Sequence, residues 1–566
     1  MKHFLTFLVS LLLSFSLLAQ NNYPPIIWNS GIATTPSEPD ESGIEVLDIE
    51  TELITGSTYV AARCTAPSSF PNGQTFTPTP NGELLLLIKY NYQGDVDWVK
   101  NLGFVGFFSR STKICTSNLE GVYLTGVFSI PNIDFGNGIS INLSCNNSCE
   151  DIYLAKFATN GQAQWAKTVS GGDGAIFTVA GIDADNSGNL YLAGNYNSTK
   201  ANFGSNFIFN NLPQKGFFLA NYNASSGNPQ AVHFPASGSD IGTLEHLDVN
   251  NNQQVVLTGN FSGTIDFGNG LSLTAPPNDF GYFVVGLNTT GTAQWLRNLG
   301  PSTSYFIVEG IDMDQEGKVY LAIDASEDLT LDNNPILNTS SGLTAIVLKL
   351  TASTHSIPVL IPYNNSVDYP IMDVKLDHWG NIYTTGFITD ALNIGGENVP
   401  VDGCTDALII IAGNEGLHQV ARSIGGAGCE AMTNFFYGAN IVLDDVGFLY
   451  GAGQFTNGFA EDGFTLSGSG AFVSKFNTSI VDTDEPKSGA MQISPNPNSG
   501  SFSIILEENP SLNALLSIHD LGGREVYRQE IQDLQTNIFT QLPAGAYIAC
   551  IQDGKSLIRQ KLMVQR

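Results

Sequence analysis

Short runs in which apolar and polar residues alternate fill most of this chain. "DIYLAKF" at 151–157, "GFFLANY" at 216–222 and "AFVSKF" at 471–476 are examples. A period of two sends successive side chains to opposite faces of an extended backbone, so these runs predict β-strands. Glycine and asparagine stand between them, as in "DFGNG" at 134–138 and 266–270. They supply the backbone angles that tight turns require. The pattern predicts an all-β protein and excludes stacked helical pairs.

The strands also repeat. "GIDADNSGNLYLAGNY" (181–196), "GIDMDQEGKVYLAI" (310–323), "VKLDHWGNIYTTGF" (374–387) and "IVLDDVGFLYGAGQF" (441–455) are copies of one unit. Weaker copies lie at 57–64, 117–128 and 248–261. Aligned on one position they give Tyr59, Tyr123, Tyr191, Val256, Tyr320, Tyr383 and Tyr450, spaced by 64, 68, 65, 64, 63 and 67 residues. Each copy continues through an alternating strand and a turn to a further strand such as "DVDWVKNL" (95–102), "QAQWAKTV" (162–169) or "TAQWLRNL" (292–299). Four strands per copy and seven copies predict a seven-bladed β-propeller over residues 20–480.

The seventh copy lacks its tryptophan strand. "PPIIWNSG" (24–31) has that strand's pattern, with Trp28 in the place of Trp98, Trp165 and Trp295. The N-terminal segment is therefore expected to complete the last blade and close the ring, which removes exposed sheet edges. Before it, Lys2, His3 and the apolar run "FLTFLVSLLLSFSLLA" read as a secretory signal peptide over residues 1–19, and no later run has the length of a membrane span.

Beyond a polar linker at 481–489 the repeat ends, and residues 490–566 alternate in a different way. Asn-Pro, Gly-Gly, Ala-Gly and Asp-Gly turns separate "ISPNPNSGSFSIIL", "LLSIHDLGGREVYRQEI" and "LPAGAYIACIQDGKSLIRQKLMVQR". A small immunoglobulin-like β-sandwich is expected there. Its motifs resemble the type A C-terminal sorting domain of proteins exported by the type IX secretion system of the Bacteroidetes. A "PNPxxGxF" start, a "DxxGRxV" middle and an "LPxGxYxxxI…KLxxx" end recur in that family. The matching residues are Pro495, Asn496, Pro497, Gly500 and Phe502, then Asp520, Gly523 and Arg524, and finally Leu542, Pro543, Gly545, Tyr547 and Lys561. The resemblance implies recognition by the outer-membrane export machinery, removal of the domain, and a product released or attached to surface lipopolysaccharide. Less specifically, the repeat resembles "GNxYxxG" propeller repeats of secreted bacterial proteins.

Charge narrows the partners. The chain carries 53 acidic against 23 basic side chains, a formal net charge of −30, so it repels phosphate backbones and nucleic acid is not an expected partner. Six of the seven cysteines fall in the repeat region: Cys64, Cys115, Cys145, Cys149, Cys404 and Cys429. An even set in an exported chain suggests disulfides. Cys145–Cys149 is the easiest local pair, Cys404–Cys429 would staple one blade, and Cys64–Cys115 would remain. A zinc site is the rival, without the usual short cysteine and histidine pairs.

Candidate chemistry is sparse. Asp185, Asp314, Asp377 and Asp444 precede the repeat aromatic by six residues, and each is followed three residues later by glycine. With Asp183 and Asp312 they resemble the start of calcium loops. However, the position twelve along from Asp183 is Gly194, where a bidentate acid belongs. A turn aspartate accepting backbone amides explains the same spacing. Asp183, Asp248 and Asp312, eight residues before the aromatic, are placed on the innermost strands. There they could line the axial channel and bind a cation or act on a sugar as acid and base. His378 and Trp379 on a turn are a lone stacking candidate, and the recurring tryptophans read as packing between blades. No nucleophile elbow or phosphate loop is present. The expected function is a non-catalytic binding or adhesion module for an extracellular glycan, protein or other ligand, without a cofactor. The alternative is a propeller glycosidase or lyase using channel carboxylates.

Overall fold

The computed structural model describes residues 26–476 and 492–564, apart from short segments of their connecting loops, the longest being 432–439 and 507–514. The signal peptide, the linker and the His378–Trp379 turn lie outside the described residues. Among the described residues the first body consists of seven antiparallel meanders of four strands each. The second meander is typical, with Lys113–Ser117, Gly121–Phe128, Asp151–Phe157 and Ala163–Val169 paired in that order. The first strand of each meander lies against the first strand of the next. These inner strands are Ile44–Glu52, Lys113–Ser117, Ile176–Ala184, Thr243–Val249, Phe306–Met313, Tyr369–Leu376 and Asn440–Leu443. Thr51 of the first inner strand donates to the carbonyl of Leu443 in the seventh at 3.1 Å.

The segment opened by the tryptophan pattern pairs as its sequence implies. Ile26–Thr34 runs antiparallel to Ser469–Phe476, with Trp28 opposite Lys475. Trp98 is opposite Lys89 and Trp165 opposite Lys156 in the same register, and each strand carries a shift at the same place. The segment then bridges to Ser68 and Ser69, beyond the second strand of the first meander.

The repeat has a physical cause in the hairpin between the first two strands. Asp185 accepts the amides of Ser187 and Asn189, its second oxygen takes the Asn189 side chain, and the Tyr191 hydroxyl lies 3.4 Å away. Asp377 with Tyr383 and Asp444 with Tyr450 repeat this arrangement. The glycine at each turn has positive φ, 85° at Gly188 and 87° at Gly447, where a side chain would be strained. The six-residue spacing of aspartate and tyrosine thus joins a turn cap to a buried hydroxyl. A lysine of the third strand covers the same ring: Lys89 over Tyr59, Lys156 over Tyr123, Lys349 over Tyr320 and Lys475 over Tyr450.

The tryptophans join neighbouring meanders. Trp98 donates to the carbonyl of Thr159 and Trp165 to that of Ser225, each in the last hairpin of the next unit. In the fourth meander, Val256 and Gly286 replace the tyrosine and the lysine. A Cβ on Gly286 would meet the Trp295 indole nitrogen at 2.1 Å, so the indole fills the space left by the smaller pair.

Residues 492–564 form a separate body of two sheets, one of three strands and one of four, around Phe502, Ile504, Leu516, Ile518, Ile538, Tyr547 and Leu562. Cys145–Cys149 is a disulfide and Cys404 is disulfide-bonded; the Cys429 side chain lies outside the described residues. The expected Cys64–Cys115 bridge does not form, and both are buried free thiols. Cys64 packs in the core shared by the first and seventh meanders, whereas Cys115 packs in the one shared by the second and third.

Candidate functional site

The inner strands gather the ionisable groups. Strand register places Glu50, Cys115, Asp183, Asp248, Asp312, Lys375 and Val442 at equivalent positions, each opposite the repeat residue. Counting eight residues back from Tyr59 points to Thr51 instead. The first hairpin is longer, so Glu50 takes the place opposite Tyr59 and Thr51 pairs with Thr58. Two residues earlier along these strands come Asp48, Lys113, His246 and Asp373. These charged groups keep only part of their surface accessible.

Three of the aspartates bridge adjacent inner strands. Asp48 accepts the amide of Ile49 on one oxygen and that of Ile114, on the next strand, on the other. Asp183 does the same with Ala184 and Val249, at 2.7 and 2.8 Å, and Asp312 with Met313 and Leu376. Asp373 accepts from Val374. A carboxylate that takes one amide from each of two neighbouring meanders is a staple between them, and charge strengthens both bonds.

The expected cluster of Asp183, Asp248 and Asp312 is brought together. Asp183 and Asp248 act on each other's ionisation, and Asp248 acts electrostatically on Asp312. Burial, reinforced by like charge, pushes Asp183 up to about 7, and Glu50 and Asp312 to about 8; Asp248 is held well above the carboxylate range. Burial also raises Asp373, to about 6, with Lys375 opposing it. Burial alone would lower the Lys375 ammonium, but Asp373, Asp312, Asp248 and Glu50 hold it above its ordinary value. His246, desolvated and bonded to the carbonyl of Val308, falls to about 4 and is neutral. The sequence pointed to three of these carboxyls. Glu50, Asp48, Asp373 and the counter-charge of Lys375 needed the register.

The calcium candidates separate. Asp185 and Asp314 sit in hairpin turns with their oxygens on backbone amides, while Asp183 and Asp312 lie on the inner strands and accept amides of their own strand and the next. Among the described residues no group of three or more carboxylate, histidine or cysteine side chains is arranged to hold a metal ion.

The ends of the meanders differ. One end carries the short Asp–Gly turns. The other carries the segments between second and third strands, from 129–150 in the second meander to 457–468 in the seventh, several with hairpins of their own such as Asn132–Gly136 with Ile139–Asn142.

In the C-terminal body the motif residues build the sandwich. Phe502, Leu542 and Tyr547 are in its core, the Tyr547 hydroxyl donates to the Pro543 carbonyl, and Gly500 receives Thr540 on its carbonyl while its amide goes to Asn498. Gly545 begins the strand Gly545–Asp553, and Pro495 and Asn496 are exposed. Pro497, Gly523 and Arg524, and the side chains of Asp520 and Lys561, lie outside the described residues.

Comparison with curated protein sequences finds no match. Among solved structures, a polysaccharide lyase of family PL25, an ulvan lyase, is similar at 9% identity and TM-score 0.38. The alignment covers 79% of this chain and 97% of the lyase. A GH43 β-1,3-galactosidase aligns at 9% identity and TM-score 0.24, covering 65% of this chain and 72% of the other. Among the described residues no helix is long and apolar enough to cross a membrane. The family description "Secretion system C-terminal sorting domain" matches residues 492–565. The chain thus carries a type IX secretion C-terminal sorting domain, which engages that machinery and directs export across the outer membrane to the cell surface or the medium.

Proposed function

We propose that the seven meanders are the blades of one closed ring, completed by residues 26–34, and that this ring is a non-catalytic binding module presented outside the cell. The observation that carries the binding reading is the division of labour between the axial carboxylates and the loop-bearing end. Asp48, Asp183 and Asp312 are occupied with amides of neighbouring strands, and Lys375 balances the carboxyls around it. The long second-to-third-strand segments differ from blade to blade on a repeating frame, which is where recognition is usually placed. The ligand in this reading is an extracellular glycan or protein.

A specific observation favours the enzymatic alternative. Asp183 and Asp248 are neighbouring carboxyls that burial and mutual like charge both raise, so one of them can hold a proton to donate as an acid. The two readings separate in one experiment. The full exported chain is incubated with a panel of neutral and anionic polysaccharides, and both retention and chain scission are followed. Retention without new reducing or unsaturated ends supports the binding module. Scission that disappears in a folded Asp248→Asn variant would make the protein a glycosidase or lyase.

A further inference from the structure

Away from the stapled carboxylates, a second group of acids gathers where the fourth, fifth and sixth meanders meet, at the loop-bearing end of their strands. Glu245 and Glu309 occupy the extra position in the register shifts Leu244/His246 and Val308/Gly310 of their inner strands. A bulge of this kind turns its side chain out of the alternation. Asp324 lies near the end of Val319–Ala325, and Tyr363 ends His355–Tyr363. Asp368 immediately precedes Tyr369–Leu376.

Their bonding is unbalanced. The Tyr363 hydroxyl donates to Asp324 at 2.5 Å, and both residues are buried. Glu245 receives the Asn260 amide group at 2.5 Å and also the Tyr282 hydroxyl. Asp368 is 1% exposed, and its Oδ1 takes the amide and hydroxyl of Thr389, but Oδ2 has no partner. That carboxylate acts electrostatically on the Tyr363 hydroxyl. Glu309 has no hydrogen-bond partner among the described residues, and its electrostatic neighbours are Asp324 and Glu245. The Tyr369 ring, on which Asp324 and Glu309 act electrostatically, packs tilted against Phe387 with ring centroids 5.4 Å apart. Among the described residues no lysine or arginine acts on Glu309, Asp324 or Asp368.

A buried acceptor without a donor is costly, and a native structure that keeps one asks for the missing group. Here Asp368 Oδ2 is such an acceptor, with the part-exposed Glu309 carboxyl and an aromatic ring at the same junction. We infer that this junction of the fourth to sixth meanders is a binding site for a neutral, hydroxyl-rich ligand of the carbohydrate class, held by Glu309, Asp324 and Asp368 and flanked by Tyr369. Hydroxyl groups supply the donors that Glu309 and Asp368 lack. They also accept from a protonated carboxyl, and burial with like charge keeps Glu309 protonated up to about 7. A sugar's apolar face matches the Tyr369 ring. The inference rests on the binding reading above and names its site and ligand class.

The test uses the full chain on an array of neutral and anionic glycans, with spermidine as a cationic probe, and the variants Glu309→Gln and Asp368→Asn. Asparagine at 368 keeps an acceptor for Thr389 and puts a donor where the unpartnered oxygen lies. Glu309 is part-exposed and makes no bond whose loss would disturb the fold. Neutral glycans are expected to bind, and each variant to weaken them about tenfold or more, with an unchanged circular dichroism spectrum. Binding retained by both variants overturns this site and leaves the binding module intact. Spermidine binding in place of glycans overturns the ligand class. A silent array with the unaltered chain overturns both the site and the binding reading.

Discussion

Lys375→Met offers a sharp test of the axial network. Asp373, Asp312, Asp248 and Glu50 surround the ammonium, and they titrate where solution pH can reach them. Asp373 is raised to about 6 and Glu50 and Asp312 to about 8. A carboxyl whose folded value exceeds its unfolded value binds more protons when folded. Its stabilising contribution is therefore present at low pH and is lost as pH rises toward the folded value. Lys375 limits that loss by favouring the ionised carboxylates, and its own contribution persists until pH passes the ordinary lysine range. Suppose that removing it lifts each carboxyl by about one further pH unit. At pH 8 the extra cost is then about 1 kcal/mol at Asp373 and a fraction of that at each of Glu50 and Asp312. The total is about 2 kcal/mol at pH 8 and close to zero at pH 5, where these groups are protonated with or without the lysine. Loss of the lysine stem adds a cost that does not vary with pH. Urea unfolding of the protein and the variant, followed by tryptophan fluorescence from pH 5 to pH 8, measures the difference. A destabilisation that grows by about 2 kcal/mol over that range is expected. An equal loss at both ends, or a larger one at pH 5, would refute the network.

Four further outcomes follow from single contacts. Asp312→Asn keeps one acceptor but cannot serve both Met313 and Leu376 equally, so a loss of about 1–3 kcal/mol in unfolding free energy is expected; a neutral result would remove the staple role. A Cβ at Gly470 would lie 1.9 Å from the Ile32 carbonyl oxygen. Gly470→Val is therefore expected to release residues 26–34 to limited proteolysis, and a protected segment would argue against their closing role. Cys64 and Cys115 are buried, free and held in separate cores. Peptide mapping is expected to find them alkylated only after unfolding, and a native disulfide between them would contradict the packing. Truncation after residue 491 removes the sorting domain, so the product is expected to stay inside the outer membrane, and unimpaired appearance in the medium would overturn that dependence.

Much of the architecture is decided by features local in sequence. Strand alternation, the Asp–Gly turns and the aromatic six residues after the aspartate act within one hairpin, so their spacing survives in the linear chain. The Asp185, Asn189 and Tyr191 bonds are an example. The missing tryptophan strand was legible for the same reason: Trp28 repeats a local pattern, and its register opposite Lys475 matches that of Trp98 and Trp165. The sorting domain could be recognised because its motif residues fill one small core in a fixed order. The site depended on tertiary structure. Glu50 rather than Thr51 takes the axial position because one hairpin is longer. Lys375 becomes the counter-charge to Glu50 only when strands far apart in sequence stand side by side. Cys64 and Cys115, an obvious pair by elimination, are kept apart by different inter-blade cores. Asp324 and Tyr363 meet across the intervening strand Leu343–Leu350, and Asp368 and Glu309 act on them from the strands beside. Periodicity records what one strand does to its hairpin partner; it carries no information about which side chains converge when seven such units are set side by side.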